Sequence, residues 1–444
     1  MKTPDFISKD LNLKEIFKGG SVAFVFKIAG ILMGYIFFLI IAKEYKAEKL
    51  GVFSLCWTML MFGAVLGRLG LDTAIVRFIA SDISTDKGQN TRNIHRKGLA
   101  LVLISSIFFG LLFFVFSKHI SLLFFDDNSN YNLIRIVGMA IIPLSVMTYN
   151  AESLRGLKRI GLFSIFQNGS IYILVLLILV SVSFFKHDLH FLIQSVLFSI
   201  IIMAVFSLFL YRKEENKIEQ IHSQNSKPIN SILKVAIPML LTNSLFLVMN
   251  WTDILMIGAF RAETEVGVYS IAVKIAALNS IVLAAVNSIA APKFAELFSK
   301  NNKSGLRRIA KQTTLINTLL SLPIFLVIVI FPGFLMRLFG AEFETGVSAL
   351  IILACGQIFN ALSGSKMYIL NMTNHEKTGQ NIILFGAIIN VILNALLIPK
   401  YGLTGGAIAT LSSTVIWNVL GVYYIHKYHG FLTYPINIRN EHAN

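Results

Sequence analysis

Charge is scarce in this chain of 444 residues. Only 14% are Asp, Glu, Lys or Arg, against 55% hydrophobic residues and a mean hydropathy of +0.70. A soluble globular chain carries about 25% charged residues. A monomer of the present composition would leave far too much apolar surface in water, so a soluble fold is excluded. Cysteine is scarcer still. Cys56 and Cys355 both fall in apolar stretches, which excludes a disulfide framework and a thiolate metal site. No G-x-x-x-x-G-K-[ST] loop occurs, so the chain carries no ATP motor of its own. Neither a metal-ligand cluster nor a nucleophile–base constellation stands out, so no metal, no cofactor and no enzyme activity are expected. The N-terminal "MKTPDFISKDLNLKEIFKGG" lacks a small-residue cleavage pattern, and no removed signal peptide is expected.

Long hydrophobic runs are what the chain has instead. Twelve are expected to span a bilayer, from 18–42 and 50–75 through to 378–398 and 403–426. About 20 apolar residues suffice for a helix to cross a hydrocarbon core about 30 Å thick. A β-barrel would need short alternating segments, and runs such as "SIYILVLLILVSVSFF" are continuous. The expectation is an all-α, multi-pass integral membrane protein. The net charge of +16 does not point to nucleic acid, because the basic residues are scattered between the runs. With the N-terminus placed inside the cell, 24 Lys and Arg fall in inner segments and 8 in outer loops. This bias follows the positive-inside rule and places both termini in the cytoplasm.

The chain also repeats. "KLGVFSLCW" from Lys49 and "EVGVYSIAV" from Glu265 align at an offset of 216, pairing Gly51 with Gly267 and Ser54 with Ser270. The polar linker "YRKEENKIEQIHSQNSKPIN" at 211–230 separates the two occurrences. Two six-helix lobes, 1–220 and 221–444, are therefore expected. They would relate by a parallel pseudo-two-fold axis along the membrane normal, with a transport cavity between the repeats.

Charged residues inside membrane spans are costly and mark function or pairing. Lys27, Arg68, Lys274 and Lys366 form a candidate cationic substrate site. Asp72 and Asp253 are candidates for coupling to an ion gradient. Helical spacing puts Ser54, Thr58, Arg68 and Asp72 on one face, and Ser270, Lys274, Ala284 and Ser288 on the equivalent one. Arg68 and Asp72, four apart, also read as a local neutral pair. Arg77, Lys234 and Lys293 read as surface anchors.

In "AEKLGVFSL", "AETEVGVYSI", "IPKYGLTGGAIAT" (398–410) and "LMRLFGAEFETGVSALIILACGQIF" (335–359) the chain resembles the polysaccharide transporter branch of the multidrug/oligosaccharidyl-lipid/polysaccharide (MOP) flippase superfamily. Within that branch it looks like a Wzx-type O-antigen flippase. The resemblance implies a MATE-like fold in the bacterial plasma (inner) membrane. It implies alternating-access movement of an undecaprenyl-pyrophosphate-linked oligosaccharide, for lipopolysaccharide or a related polysaccharide, from the inner to the outer leaflet. A proton or sodium gradient would drive it, with membrane lipids, a polysaccharide polymerase and assembly proteins as partners. Rival readings are a lipid II or teichoic-type precursor flippase, a multidrug cation antiporter of the same superfamily, and a membrane polymerase or ligase.

Overall fold

The computed structural model describes residues 11–85, 89–125, 130–167, 169–181, 188–217 and 228–434, the side chains of 11–28, 85 and 288 excepted. The first ten residues, most of the 211–230 linker and the C-terminus beyond 434 lie outside the described residues. Among the described residues every regular element is a helix. Nine of these helices are long and apolar enough to cross a membrane, ten when one bent pair counts as a span. Two of the nine each carry two of the expected spans, which reconciles the count with the twelve apolar runs.

The chain packs as two compact units, one of Met1–Ile40 and Leu55–Ser244, the other of Ile41–Ser54 and Leu245–Asn444. The first unit takes most of α1 (Leu11–Arg68), then α2 (Leu71–Thr85), α3 (Thr91–Val115), α4 (Ser117–Phe124) and α5 (Tyr131–Gly156). It continues with α6 (Ile160–Gln167), α7 (Ser170–Ser181), α8 (Leu189–Glu215) and the start of α9 (Ile229–Phe260). Its helices are amphipathic in the reverse of the aqueous sense. Ile104, Phe108, Leu111 and Val115 recur at helical spacing on the exposed face of α3, while Ser105 and Ser106 are buried. On α8, Phe198, Ile202, Val205 and Phe209 are exposed while Ser195, Ser199 and Ser207 are buried. Lipid is as apolar as the side chains it meets, so small residues and internal hydrogen bonds hold such helices together. A methyl added at Gly110 of α3 would lie 2.7 Å from the carbonyl oxygen of Gly138 on α5, and the reverse holds for Gly138.

The second unit holds the rest of α9, α10 (Glu263–Ala276), α11 (Leu278–Ser299), α12 (Lys303–Ile330) and α13 (Pro332–Arg337). A 3₁₀ turn (Ala341–Gly346), α14 (Val347–Leu362), α15 (Lys366–Met372) and α16 (Glu376–His429) complete it. Its core gathers Phe294, Leu306, Ile369, Ile382 and Ile425 from α11, α12, α15 and α16.

Two breaks in long helices set this unit's geometry. In α1, Lys46 leaves helical geometry (φ 61°, ψ 179°); in α16, Gly402 does so (φ 55°, ψ −135°). Each break deprives the following N–H of its carbonyl. Glu342 supplies the acceptor for Ala47 N at 2.6 Å, and Glu265 does so for Leu403 N at 3.1 Å. Before the second break, Arg261 donates to the carbonyls of Ile398 (3.2 Å) and Pro399 (2.8 Å).

The repeat appears here as a contact. A side chain added at Gly51 would strike the carbonyl of Glu263, and one added at Gly267 would strike that of Ala47. All four positions obey the 216 offset, and Ser54 Oγ donates to Ser270 Oγ at 3.1 Å. The two copies of the motif thus pack on each other reciprocally. Gly51→Val and Gly267→Val are each expected to cost about 1–3 kcal/mol or more, since backbone cannot rearrange as a side chain can. Gly333→Ala, with only Glu344 at 3.6 Å, should leave the melting temperature unchanged. Wild-type melting of Gly267→Val in detergent would show that the contact carries no weight.

Candidate functional site

The charged residues of the spans fall into groups, each within one unit. In the first unit Arg68 Nε donates to Asp72 Oδ2 at 2.8 Å, both side chains nearly buried. They do not share one continuous helix, as their spacing led us to expect. Leu69 (φ 50°) and Gly70 (φ 72°) are left-handed and end α1, so Asp72 stands in the first turn of α2. There it faces the positive end of a helix dipole and accepts from Thr73 N at 2.8 Å. Gly70 also lies close against α9, where a side chain would meet the carbonyl of Ala236, and Asn243 of α9 donates to Thr73 Oγ1 at 3.0 Å. Nearby, Glu152 pairs with Arg155 at 2.9 Å and accepts from Gln167 at 3.2 Å. Arg68 is therefore a compensated cation, and an anionic ligand would have to take Asp72's place.

The repeat-equivalent segment, expected as one span over 267–291, is long and apolar enough to cross as one from Glu263 to Asn287, with α10 and α11 joined through Ala277, whose backbone stays near helical (φ −66°, ψ −10°). Lys274 is half-buried in the last turn of α10, where the negative end of the dipole favours a cation. The side chains of Ser288 and Lys27 lie outside the described residues.

Asp253 of α9 is 4% exposed and belongs to the second unit. Tyr269 of α10 donates to its Oδ2 at 2.6 Å, Thr410 of α16 to the same oxygen at 3.3 Å, and Ile254 N to Oδ1 at 3.0 Å. Asn390, on the other half of α16, donates to Thr410 at 3.4 Å and to Ser413 at 3.2 Å, and accepts from Asn394 at 3.0 Å. A carboxylate is thus joined to a chain of neutral polar groups, and among the described residues no basic side chain pairs with it. Such a group can take up a proton or a cation. Sequence reasoning found Asp253 but missed Tyr269, Thr410 and Asn390. Tyr269 and Thr410 stand in "GVYSI" and "GGAIAT", read above for the repeat and the family resemblance and not for a site.

Lys366 opens α15 and is 2% exposed. Its ammonium donates to Asn360 Oδ1 at 2.9 Å and to the Gly364 carbonyl at 3.5 Å, and sits 4.6 Å from the centre of the Trp417 ring. Its stem packs on Gly421. Two neutral acceptors and an aromatic face hold this charge. Polar groups of α11 and α12 were also missed: Asn279 and Asn317 are buried, and their amides find no partner among the described residues.

The remaining basic residues of the spans sit nearer the surface. Arg77, Lys234 and Lys293 are exposed. Arg135 lies about 5 Å from the ring centres of Phe114 (5.0 Å) and Tyr131 (4.9 Å). Lys300 and Lys293, bonded to the partly exposed Glu296, hold that carboxyl down to about 2. A double-mutant cycle between Lys366→Met and Trp417→Leu, read from thermal or denaturant midpoints, is expected to give a coupling of about 1 kcal/mol. Strict additivity would show that the ring does not hold the ammonium.

Known proteins share this fold. Among solved structures, the chain resembles the lipid II flippase MurJ in an inward closed conformation (TM-score 0.73, 14% identity, 90% of this chain and 86% of that one). It also resembles an inward-facing multidrug resistance MATE family transporter of the MOP superfamily (TM-score 0.71, 16% identity, 90% and 94%). These likenesses show the fold, that of a multi-pass integral membrane protein. In sequence it is 24% identical to a probable low-salt glycan biosynthesis flippase, Agl15, of Haloferax volcanii, over 91% of this chain and 82% of that protein. The MatE family model matches residues 238–396. The model described as "Polysaccharide biosynthesis protein" matches residues 16–298, more than half of the chain, and the chain belongs to that family.

Proposed function

We propose that the protein is a flippase that moves a lipid-linked glycan across the membrane, by alternating access and at the expense of an ion gradient. Membership of a polysaccharide biosynthesis family carries this reading. The similarity to a protein named as a glycan biosynthesis flippase supports it. So does the chemistry inside the spans. A glycan carried on a phosphorylated lipid presents an anionic phosphate and many hydroxyls, and its hydrocarbon tail stays in the bilayer. Lys27, Lys274 and Lys366 supply positive charge for the phosphate, and Arg68 does so once it leaves Asp72. Asp253, with Tyr269 and Thr410 around it, is the group proposed to bind the coupling proton or sodium ion. Asp72 is a second coupling candidate, its ionisation balanced by Arg68.

The finer reading is an undecaprenyl-pyrophosphate carrier and an O-antigen or related repeat unit in a bacterial plasma membrane, with the polymerase and assembly proteins of polysaccharide synthesis as partners. The archaeal relative supports the broader class of lipid-linked glycans. A multidrug cation antiporter is the second reading, favoured by one observation: Asp253 lies in the segment matched by the MatE model.

Reconstitution in vesicles tests the proposal. With labelled undecaprenyl-pyrophosphate-linked oligosaccharide, label is expected to move between leaflets under a proton or sodium gradient and to stop when an ionophore collapses it. Folded protein that leaves the label in its starting leaflet under every gradient would overturn the flippase reading. A monophosphate-linked analogue tests the carrier, and uptake of a cationic dye in place of the glycan would favour the antiporter. Replacing Lys27 and Lys274 together by Gln should slow glycan movement about tenfold or more, the scale of one lost charge-assisted hydrogen bond. Unchanged movement would remove both from the site.

A further inference from the structure

The first unit contains a cavity that the transport reading does not use. It measures about 280 Å³ and lies between the start of α3 and the end of α8. Three guanidinium groups, of Arg92, Arg96 and Arg212, line it, together with His95, Tyr211 and Glu215. Glu215 is the one carboxylate among its lining residues, so the lining carries an excess of positive charge.

The cavity is built rather than incidental. Asp82 accepts from Asn90 N at 3.1 Å and from Thr91 Oγ1 at 2.7 Å, which fixes the start of α3. Arg92 is held by Glu215 at 3.3 Å and by Asn216 Oδ1 at 2.8 Å. The His95 ring lies 3.7 Å from that of Tyr211, centre to centre, and bonds Asn150 Oδ1 at 3.0 Å. Asn150 in turn donates to Ser207 at 3.1 Å, and Tyr149 Oη donates to the His95 carbonyl at 3.1 Å. Two rings and an anchored arginine thus form a rigid floor. Arg96 and Arg212 are exposed and make no ion pair among the described residues. Two uncompensated guanidinium groups beside a third of fixed orientation suit a phosphate group, which accepts their forked donors.

Its position says what kind of phosphate. Leu99 and Leu208 also line the cavity. Directly beyond them run the exposed apolar faces of both helices, through Ile104 and Phe108 on α3 and Phe209 and Val205 on α8. An occupant therefore meets cations at one end and a lipid-facing hydrocarbon surface at the other. We infer that this cavity binds the phosphate headgroup of an anionic phospholipid, whose acyl chains lie along the exposed faces of α3 and α8. Basic pockets at the ends of membrane helices, on the side that the basic residues assign to the cytoplasm, are suited to such headgroups. The site is independent of the substrate reading, since none of its residues belongs to the proposed transport groups.

The experiment uses the full chain in detergent, with native mass spectrometry counting retained phosphatidylglycerol and phosphatidylcholine. Wild-type protein is expected to keep phosphatidylglycerol in preference to phosphatidylcholine. Arg96→Gln with Arg212→Gln should lower its retention about tenfold or more. Lys303→Gln with Arg308→Gln removes the same charge from exposed positions of the second unit and should change nothing. If the double variant does not fold, Arg96→Gln alone should lower retention about threefold. Equal retention by wild type and variant would overturn the proposal. So would equal retention of both lipids, or complete displacement by inorganic phosphate, which would mean a site for the free ion.

Discussion

A helix that breaks near or within a membrane leaves a backbone N–H without its carbonyl, and little else there can accept it. The second unit is organised around this constraint. α1 breaks at Lys46 and α16 at Gly402, and in each case a glutamate from elsewhere in the chain takes the N–H that follows. Arg261 serves the carbonyls on the near side of the second break. Once the ends are satisfied, the stretch after Lys46 can lie against α10 closely enough for Gly51 and Gly267 to meet backbone to backbone. Satisfied ends, close approach and the reciprocal pairing of the repeat are therefore one arrangement.

That arrangement separates two kinds of acidic residue. Glu265 and Glu342 accept from main-chain N–H groups and act as parts of the backbone. Asp253 accepts from side chains of two other helices, Tyr269 of α10 and Thr410 of α16, and continues into a neutral polar chain through Thr410 and Asn390. Tyr269 ties the two together, because it stands in the same motif as Gly267 and Ser270 yet donates to Asp253. The frame thus sets the distance between Asp253 and its strongest donor, and a change in the packing of α10 would reach the carboxylate directly.

Much of the architecture was readable from the sequence because composition and run length are strong signals in lipid. The helical class and the apolar spans rest on residue types with few other uses in so long a run. Interruptions inside apolar runs were not readable. Leu69 and Gly70 take left-handed geometry between Arg68 and Asp72, a break that a four-residue spacing does not announce, so a face drawn through Arg68 and Asp72 assumed a helix that the chain does not keep. Long-range partners were equally hidden. Lys366 looked like a group seeking an anion, and its holder is Trp417, some fifty residues away along the chain. Asp253 was conspicuous for lacking a local partner, yet nothing in its neighbourhood announced Thr410. The family motifs were readable as motifs, but their physical work, capping broken helices and seating one repeat on the other, required the coordinates.

The central claim is a division of labour: Glu265 holds the frame, and Asp253 answers to the ion gradient. Glu265→Gln and Asp253→Asn, reconstituted side by side, test it through melting temperature and gradient-driven glycan movement per folded molecule. The account predicts that Glu265→Gln melts several degrees lower, for a loss of about 1–3 kcal/mol, while its folded fraction still responds to the gradient. It predicts that Asp253→Asn melts close to wild type and no longer responds. A gradient response that survives Asp253→Asn and disappears in stably folded Glu265→Gln would contradict it.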